Sequence, residues 1–500
     1  MSNSEIQWQV APGAPVGVIG AGVMGAGIAQ VAAQAGHPVK LLDVREGAAA
    51  AAISSIAKGL DGLVAKGRME QAERDAVLAR IQPATATAEL AGVLLAVEVI
   101  IEKLEPKQQL LRELDALLAP QAIIASNTSS ISVTALANGM KTPQRLVGMH
   151  FFNPVPLMKL VEVVSGAETD PAIAQAIFDL SKRWGKTPVH AKSTPGFIVN
   201  RIARPYYAET LALLQEQAGE PAQLDRALRG AGFRMGPCEL MDLIGHDTNY
   251  LVTQSVFEAN YADKRFVPSL VQKALVDGGR LGRKAGKGFY VGIPAAAEPV
   301  VAQPLSADLA VVGRGPLVET LAQWLAHKGL AFVRDTASDW AGLRVDATEI
   351  HLSRGITAAQ LAFQRGQPEL AVMDWPIAPD RCEALPLAYA PRAADRAKVE
   401  ALWSQLGWAP LVLRDVPGLA VARTVAMLVN EGADAVWQGV CDEPAADQAM
   451  KLGVNYPAGP FEWLALVGAA PVCELLDGLF TAYRSERYRV SPLLRQRLWA

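Results

Sequence analysis

Short apolar runs alternate with longer amphipathic stretches along residues 1–193, and this alternation predicts an α/β fold. The apolar runs predict buried strands at 16–19, 39–42, 94–104, 123–125, 145–150 and 186–191. Helical spacing between them predicts helices at 26–32, 45–80, 106–118 and 171–184, with a further helix starting near 133. Strands that are apolar throughout and alternate with helices are typical of a doubly wound parallel sheet.

The pattern changes after this region. From Phe197 the apolar residues recur at helical spacing, and from 305 a shorter α/β pattern precedes a second helical stretch. An Ala- and Pro-rich segment between these regions is typical of a linker. The predicted domains are an α/β domain at 1–193, a helical substrate or dimerisation domain at 194–293, a linker at 294–304, a degenerate α/β segment at 305–414 and a second helical domain at 415–500.

The two helical regions are copies of each other. TPGFIVNR at 194–201 returns as VPGLAVAR at 416–423, and GPCEL at 236–240 returns as GPFEW at 459–463. Asn200 has become Ala422 in the second copy. Because a framework residue tends to be kept by both copies, the loss favours a functional role for Asn200 over an ordinary place at a helix start.

A glycine-rich turn joins the first predicted strand to the first predicted helix. Its glycines permit a tight turn, the approach of a pyrophosphate to the helix N-terminus, and close helix–strand packing. Asp43 ends the next strand, where a carboxylate accepts hydrogen bonds from a ribose diol and repels a 2′-phosphate. A Rossmann-type domain that binds NAD is therefore predicted. Its expected cofactor contacts are Gly20, Gly22, Val23, Met24, Gly25 and Asp43.

A second turn, GRGP at 313–316, resembles the first one in part. It lacks the third glycine and contains a proline. The segment at 305–414 is therefore not expected to bind a dinucleotide.

Composition narrows the classes of function. A net charge of −3 gives no general attraction to nucleic acid or anionic lipid. No apolar core of a signal peptide is found in residues 1–15, and the apolar run at 91–101 is too short to cross a bilayer. The four cysteines are far apart, which predicts neither a zinc site nor a disulfide framework. The expectation is a cytoplasmic protein with no metal, no nucleic-acid partner and no membrane partner.

The most informative run is GMHFFNPVP at 148–156, followed by KLVE at 159–162. Its two prolines force turns, so the chain can fold back and bring the carboxylate of Glu162 against the imidazole of His150. Such a carboxylate fixes the tautomer of a histidine and stabilises the imidazolium formed on proton uptake. For the run taken alone, a buried structural histidine is an equally good explanation.

Small polar residues follow the predicted strand at 123–125. The run SNTSS at 126–130 lies at the carboxyl end of that strand, where doubly wound sheets bind ligands, and His150 also ends a strand. One of these residues could instead cap the helix near Val133. Five in a row exceed the need of one cap, so a ligand site is predicted at this sheet edge.

Together these motifs resemble the L-3-hydroxyacyl-CoA dehydrogenase family. The linker, the degenerate segment and the second helical copy resemble the long bacterial form of that family. The resemblance covers most of residues 15–290 and is carried by GAGVMGAGIAQ at 20–30 with Asp43, SNTSS at 126–130, GMHFFNPVPLMKLVEV at 148–163, TPGFIVNR at 194–201 and GPCELMDLIG at 236–245.

The resemblance implies a role for each matching residue. It makes His150 the base that takes the 3-hydroxyl proton, Glu162 its electrostatic partner, and Asn153 a support for the histidine region. Ser129 and Asn200 would hydrogen-bond the substrate oxygens. The remaining implied contacts are to the nicotinamide side of NAD for Glu102, Lys107 and Asn127, and to CoA for Lys66.

The activity implied by the resemblance is NAD-dependent oxidation of an (S)-3-hydroxyacyl-CoA to the 3-ketoacyl-CoA. The substrate would be 3-hydroxyadipyl-CoA or 3-hydroxybutyryl-CoA, in the breakdown of phenylacetate, other aromatics or fatty acids. A dehydrogenase of a hydroxy acid without CoA and a non-catalytic NAD-binding protein are the alternatives. The helical copies are expected to form an intrachain pseudo-dimer, or the chain a homodimer.

Overall fold

Eight short strands form the first sheet, and their apolar residues are buried in it. The computed structural model describes residues 8–292 and 300–499, so most of the predicted linker at 294–304 lies outside the described residues. The strands are β1 (Val16–Ile19), β2 (Val39–Leu42), β3 (Ile81–Ala84), β4 (Leu95–Glu98), β5 (Ile123–Ser126), β6 (Leu146–Phe151), β7 (Leu160–Ser165) and β8 (Thr187–Lys192). Their order is β3-β2-β1-β4-β5-β6-β7-β8, with β1 to β6 parallel and β7 antiparallel to β6. The predicted doubly wound sheet is therefore confirmed.

Six helices connect these strands: α1 (Val23–Gln34), α2 (Ala48–Ala65), α3 (Gln71–Ala79), α4 (Leu104–Leu117), α5 (Val133–Leu136) and α6 (Pro171–Arg183). The helical region predicted at 45–80 is present as two helices, because the chain turns between α2 and α3, where Gly67 has a φ of +64°. The strand predicted at 94–104 ends early, because the Ile100 N–H turns back to the Glu98 carboxylate. Ser132, outside the SNTSS run, caps α5 by accepting from the Ala135 N–H.

The next helices are α7 (Val199–Ile202), α8 (Arg204–Gln215), α9 (Pro221–Gly230), α10 (Pro237–Ile244), α11 (His246–Ala259) and α12 (Leu270–Asp277). A second, mixed sheet follows. Its elements are β9 (Leu309–Val312), α13 (Pro316–His327), β10 (Val333–Asp335), β11 (Gly342–Val345), β12 (Thr348–Leu352), α14 (Ala358–Arg365), β13 (Leu370–Met373), β14 (Ala384–Tyr389), α15 (Arg396–Leu406) and β15 (Ala409–Val412). The strand order is β10-β9-β11-β12-β13-β14-β15. The last helices are α16 (Val421–Trp437), α17 (Glu443–Gly453), α18 (Pro460–Val467), α19 (Ala469–Tyr483) and α20 (Pro492–Trp499).

The chain forms two compact units, one of residues 1–199 with 439–453 and the other of residues 200–438 with 454–500. This division differs from the domains predicted from the pattern, which placed α17 in the second helical domain. In the structure α17 contacts β7 and β8 of the first sheet. Periodicity could not show this, because an amphipathic helix has the same pattern whichever surface it covers.

The two helical copies contact each other reciprocally within the second unit. Arg201 Nε donates to Glu431 at 2.6 Å, and Arg423 Nε donates to Glu209 at 2.7 Å. Arg423 is the repeat counterpart of Arg201, and each glutamate follows the arginine of its own copy by eight residues. A contact in which each partner supplies the same two residues is the pattern of a two-fold interface.

By length and composition, α2 is apolar enough to cross a membrane. One such helix is weak evidence for a membrane span, because the core helices of soluble proteins pass the same test. Its middle carries Lys58 and Asp61, and the face with Ala49, Ala52, Ile56 and Leu60 is buried in the protein core. These features fit a helix that packs on one side and meets water on the other.

Candidate active site

His150 and Glu162 form a buried pair at the centre of the candidate site. The antiparallel register of β6 and β7 places the two residues directly opposite each other, so their side chains share one face of the sheet. His150 Nδ1 lies 2.6 Å from Glu162 Oε2, and the residues are 5% and 0% exposed. Since a carboxylate can only accept, Nδ1 carries the proton, and Nε2 is the nitrogen that can exchange one. The predicted contact is present.

The second oxygen of Glu162 is also bound. It accepts hydrogen bonds from the backbone N–H groups of Ile198 at 2.9 Å and Val199 at 3.0 Å. These hydrogen bonds hold the carboxylate in one orientation. The histidine ring is flanked by Phe152 and Phe197, with ring centroids 4.5 and 5.9 Å away. The imidazole is thus oriented on one side by an anion and enclosed by aromatic rings.

Glu102 organises the polar run after β5. Its carboxylate accepts from Thr128 Oγ1 at 2.7 Å, from the Ser129 N–H at 2.8 Å and from Ser130 Oγ at 3.1 Å. Asn127 Oδ1 in turn accepts from the backbone N–H next to His150, that of Phe151, at 2.8 Å. The run predicted to bind ligand is therefore tied both to Glu102 and to the end of β6.

A buried ion pair that sequence analysis missed lies beneath this run. The Nζ of Lys107, which is 1% exposed, is 2.6 Å from Glu98 and 3.2 Å from Glu102. Glu98 also accepts from Ser126 Oγ at 2.6 Å. Burial opposes ionisation of Glu102, yet Lys107 and the hydrogen bonds from Thr128 and Ser129 lower its pKa. A carboxylate at the end of the apolar strand β4 is the signal that could have identified Glu98.

The first glycine turn fits the pyrophosphate of a dinucleotide. Gly20 has a φ of +112°, and a Cβ there would lie 2.4 Å from the Val99 carbonyl oxygen. A Cβ on Gly25 would lie 1.8 Å from the Gly20 oxygen, whereas one on Gly22 would meet nothing within 4 Å. No side chain caps the start of α1, which begins with Val23 and Met24. Packing therefore requires the outer two glycines, and the middle one leaves space over unsatisfied helix N–H groups.

Asp43 stands at the end of β2, as predicted. It accepts from the Ala21 N–H at 2.8 Å and from Arg45 Nε at 3.0 Å. The side-chain hydrogen bond from Arg45 is the main reason why the pKa of Asp43 falls to about 2. A carboxylate that stays ionised beside the turn fits a ribose diol, the group recognised there in NAD-binding domains.

Three further residues predicted for the site lie outside the His150–Glu162 pair. Asn153 is exposed and joins Pro154 through a cis peptide bond, three residues after His150. Lys66 is exposed at the C-terminal end of α2. Asn200 belongs to the second compact unit, in α7. Within residues 8–292 and 300–499, no group of three or more His, Cys, Asp or Glu could hold a metal ion.

The sheet, its glycine turn and the carboxylate at the end of β2 define a dinucleotide-binding protein of the Rossmann class. The family model for the 3-hydroxyacyl-CoA dehydrogenase NAD binding domain matches residues 15–194. The model for the C-terminal domain of the same enzymes matches residues 196–292 and again 418–500. The chain belongs to the 3-hydroxyacyl-CoA dehydrogenase family and is an NAD-dependent oxidoreductase, as the sequence motifs indicated.

The double match of the C-terminal model agrees with the duplication seen in the sequence. The segment between the copies, residues 350–417, matches the 3-hydroxybutyryl-CoA dehydrogenase reduced Rossmann-fold domain. The degenerate α/β pattern is therefore a recognised part of the family.

Some relatives match nearly the whole chain and others match about half of it. The chain is 43% identical to the 3-hydroxyadipyl-CoA dehydrogenase of Escherichia coli K12, over 96% of this chain and 97% of that protein. It is 41% identical to the mitochondrial hydroxyacyl-coenzyme A dehydrogenase of Sus scrofa, over 55% of this chain and 90% of that protein. The crystal structure of 3-hydroxybutyryl-CoA dehydrogenase from E. coli K12 superimposes with a TM-score of 0.87 at 41% identity, covering 97% of this chain and 98% of that one.

Proposed function

We propose that the chain interconverts (S)-3-hydroxyacyl-CoA and 3-ketoacyl-CoA with His150 as the base, and that 3-hydroxyadipyl-CoA is its preferred substrate. The buried His150–Glu162 pair carries the proposal for the base. The match over nearly the whole chain to the E. coli enzyme of that name supports the substrate. A role in the breakdown of phenylacetate or related aromatic compounds follows from that substrate.

Proton transfer follows from the orientation of the ring. Because Glu162 holds the Nδ1 proton, Nε2 of His150 takes the proton from the substrate 3-hydroxyl. The imidazolium that forms is stabilised by the carboxylate 2.6 Å away. NAD⁺, when bound, accepts the hydride that leaves C3. In the reverse direction Ser129 and Asn200 hydrogen-bond the 3-keto oxygen as charge develops on it.

Replacing His150 with Gln tests the base. We expect kcat for acetoacetyl-CoA and 3-oxoadipyl-CoA reduction to fall by about 10²- to 10⁴-fold, because the proton donor is lost. NADH affinity, measured by fluorescence titration, should change little. His190→Gln is the matched control, since His190 is an exposed histidine of β8 that stacks on Phe178. Normal turnover by His150→Gln, or turnover of free 3-hydroxy acids in preference to CoA thioesters, would contradict the proposal.

We further propose that the two helical copies form a pseudo-dimer within one chain. The reciprocal Arg201–Glu431 and Arg423–Glu209 contacts support this, because two copies in one chain here make the kind of two-fold contact that two identical chains make in a homodimer. Light scattering should identify the dilutions at which only monomers remain, and urea unfolding of the second unit should stay cooperative there. Loss of cooperative unfolding on dilution would contradict it.

A further inference from the structure

Arg204, at the start of α8, is a buried cation without an acidic partner among the described ion pairs. It is 5% exposed, and its Nε has no hydrogen-bond partner. Its one described side-chain hydrogen bond runs from Nη1 to Thr253 Oγ1, at 3.2 Å. Burial lowers the pKa of this guanidinium. An arginine carries five N–H donors, and a buried charge is costly unless an anion meets it.

The other buried arginines of this unit are paired. Arg201 and Arg265 meet Glu431, and Arg423 and Arg487 meet Glu209. The need for a counter-ion is thus satisfied inside the protein at these four positions. At Arg204 the corresponding anion is missing from the described structure, which points to a ligand.

A cavity of about 370 Å³ lies beside the second glycine turn, but the cavity of about 320 Å³ beside Arg204 has the clearer chemistry. The Arg204 guanidinium lies over the Tyr207 ring, 4.9 Å from its centroid, and lines this cavity. The other walls include Leu211 and Phe266, which are apolar, and Arg265 and Arg487, which are paired with Glu431 and Glu209. Apolar walls with one cation that no carboxylate of the described ion pairs neutralises fit an aliphatic chain that ends in an anion.

A comparison of the two helical copies distinguishes Arg204 from the residues that both copies retain. Asn200 and Arg204 lie one helical turn apart, and their counterparts in the second copy are Ala422 and Ala426. Arg201, between them, is kept as Arg423. Asn200 is in α7 and Arg204 starts α8, but Ala203 between them keeps a helical backbone, so the two residues, four apart, stand on the same side. Their separation along the axis is about 6 Å.

We propose that Arg204 binds the terminal carboxylate of a dicarboxylic acyl chain and so selects 3-hydroxyadipyl-CoA over acyl-CoAs that end in a methyl group. The inference rests on the proposed function, in which Asn200 contacts the oxygen at C3. Three carbon–carbon bonds separate C3 from the terminal carboxyl carbon of a six-carbon chain, a span of about 4 Å plus the carboxyl oxygens. That span matches one helical turn between the two side chains.

The test compares two substrates of equal length, 3-oxoadipyl-CoA and 3-oxohexanoyl-CoA, in the wild type and in Arg204→Met. We expect the wild type to prefer the adipyl thioester in kcat/KM, and the variant to lose on the order of 10²-fold for that substrate only. Activity on the hexanoyl thioester should be kept or should rise. An equal loss for both substrates, or a wild type without the preference, would overturn the proposal.

A binding measurement and two variants complete the test. Inhibition constants of adipyl-CoA and hexanoyl-CoA should diverge in the wild type and converge in Arg204→Met, whether or not the variant turns over. Arg229→Met is the matched control, because Arg229 pairs with Glu239 outside the cavity, and it should keep the preference. If Arg204→Met does not fold, Arg204→Lys decides: it keeps the charge but loses the planar fork, so a reduced preference supports the proposal and an unchanged one contradicts it.

The outcome remains separate from that of the proposed function. A wild type that reduces neither thioester would overturn the dehydrogenase assignment itself. A wild type that reduces both equally well would leave that assignment intact and remove only the role of Arg204.

Discussion

The two helical copies have the same residues where they touch each other and different residues where substrate is proposed to bind. The contacts between copies use Arg201 and Glu209 in the first and Arg423 and Glu431 in the second. The proposed substrate residues of the first copy have become alanines in the second, at 422 and 426. A duplicated fold therefore keeps its interface because each copy stabilises the other, whereas chemistry is needed in one copy only.

The two sheets likewise share the framework of a glycine turn and differ at a residue proposed to bind a ligand. In each, a helix starts three residues after the first glycine of the turn, and that glycine donates a 2.7 Å hydrogen bond across to the next strand, Gly20 to Leu42 and Gly313 to Asp335. This alignment puts Thr336 where the first sheet has Asp43. The scaffold of the turn is retained, and the carboxylate proposed to bind the ribose is replaced by Thr336 in the second one.

The position of His150 also has a counterpart beside the second sheet, where an aspartate stands in place of the histidine. Met149-His150 at the end of β6 corresponds to Met373-Asp374 at the end of β13. The Asp374 carboxylate accepts from the backbone N–H groups of Ala420 and Val421, the same helix start that Glu162 caps in the first copy. The capping role survives in the second copy, whereas the histidine proposed to transfer the proton is replaced by Asp374.

The largest expected effect is the loss of stability when an arginine that both copies have at their contact is removed. Arg423→Met leaves Glu209 buried with one fewer cation, and we expect the free energy of unfolding of the second unit to fall by about 3–5 kcal/mol in urea titrations. Arg489→Met is the control, because Arg489 pairs with Asp434 from a half-exposed position and should cost less than about 1 kcal/mol. Equal losses of stability in the two variants would show that the buried contact between the copies contributes no more than the half-exposed ion pair.

Exchanging a diverged residue should instead affect catalysis and leave stability nearly unchanged. Asn200→Ala copies the residue found at 422, and we expect kcat/KM for 3-oxoadipyl-CoA to fall by about 10²- to 10³-fold, as when an oxyanion donor is lost. The exposed Asn138→Ala serves as the control and should be neutral. A stability loss without a change in rate would reassign Asn200 to the framework.

The smallest expected effect is on the cofactor. Asp43→Thr copies Thr336 and removes the ionised acceptor, so we expect the Kd of NADH to rise by about 10- to 100-fold and the preference over NADPH to shrink. Thr336→Asp in the second turn should leave NADH binding as it is. Titration of both variants by fluorescence checks the pair, and an NADH Kd that is unaltered in Asp43→Thr would show that Asp43 does not contact the ribose.

Local sequence determined much of this protein, because some structures need particular residues at short spacing. The glycine turn with Asp43, the strand and helix order and the repeat follow from residues close together in the chain, and family membership followed from the same motifs. The proximity of His150 and Glu162 was also predictable, since only twelve positions and two prolines separate them.

Tertiary structure decided the features that depend on distant partners. Lys107 joins Glu98 and Glu102 beneath the SNTSS run, and helix α17 covers the first sheet although it lies in the second helical copy. The repeat distinguishes Arg204, replaced by Ala426, from Arg201, kept as Arg423, but it does not show what either arginine contacts. Whether a buried arginine meets a glutamate or a cavity is set by the packing of α8 against α10, α12 and α16, because electrostatic pairing depends on distance in space.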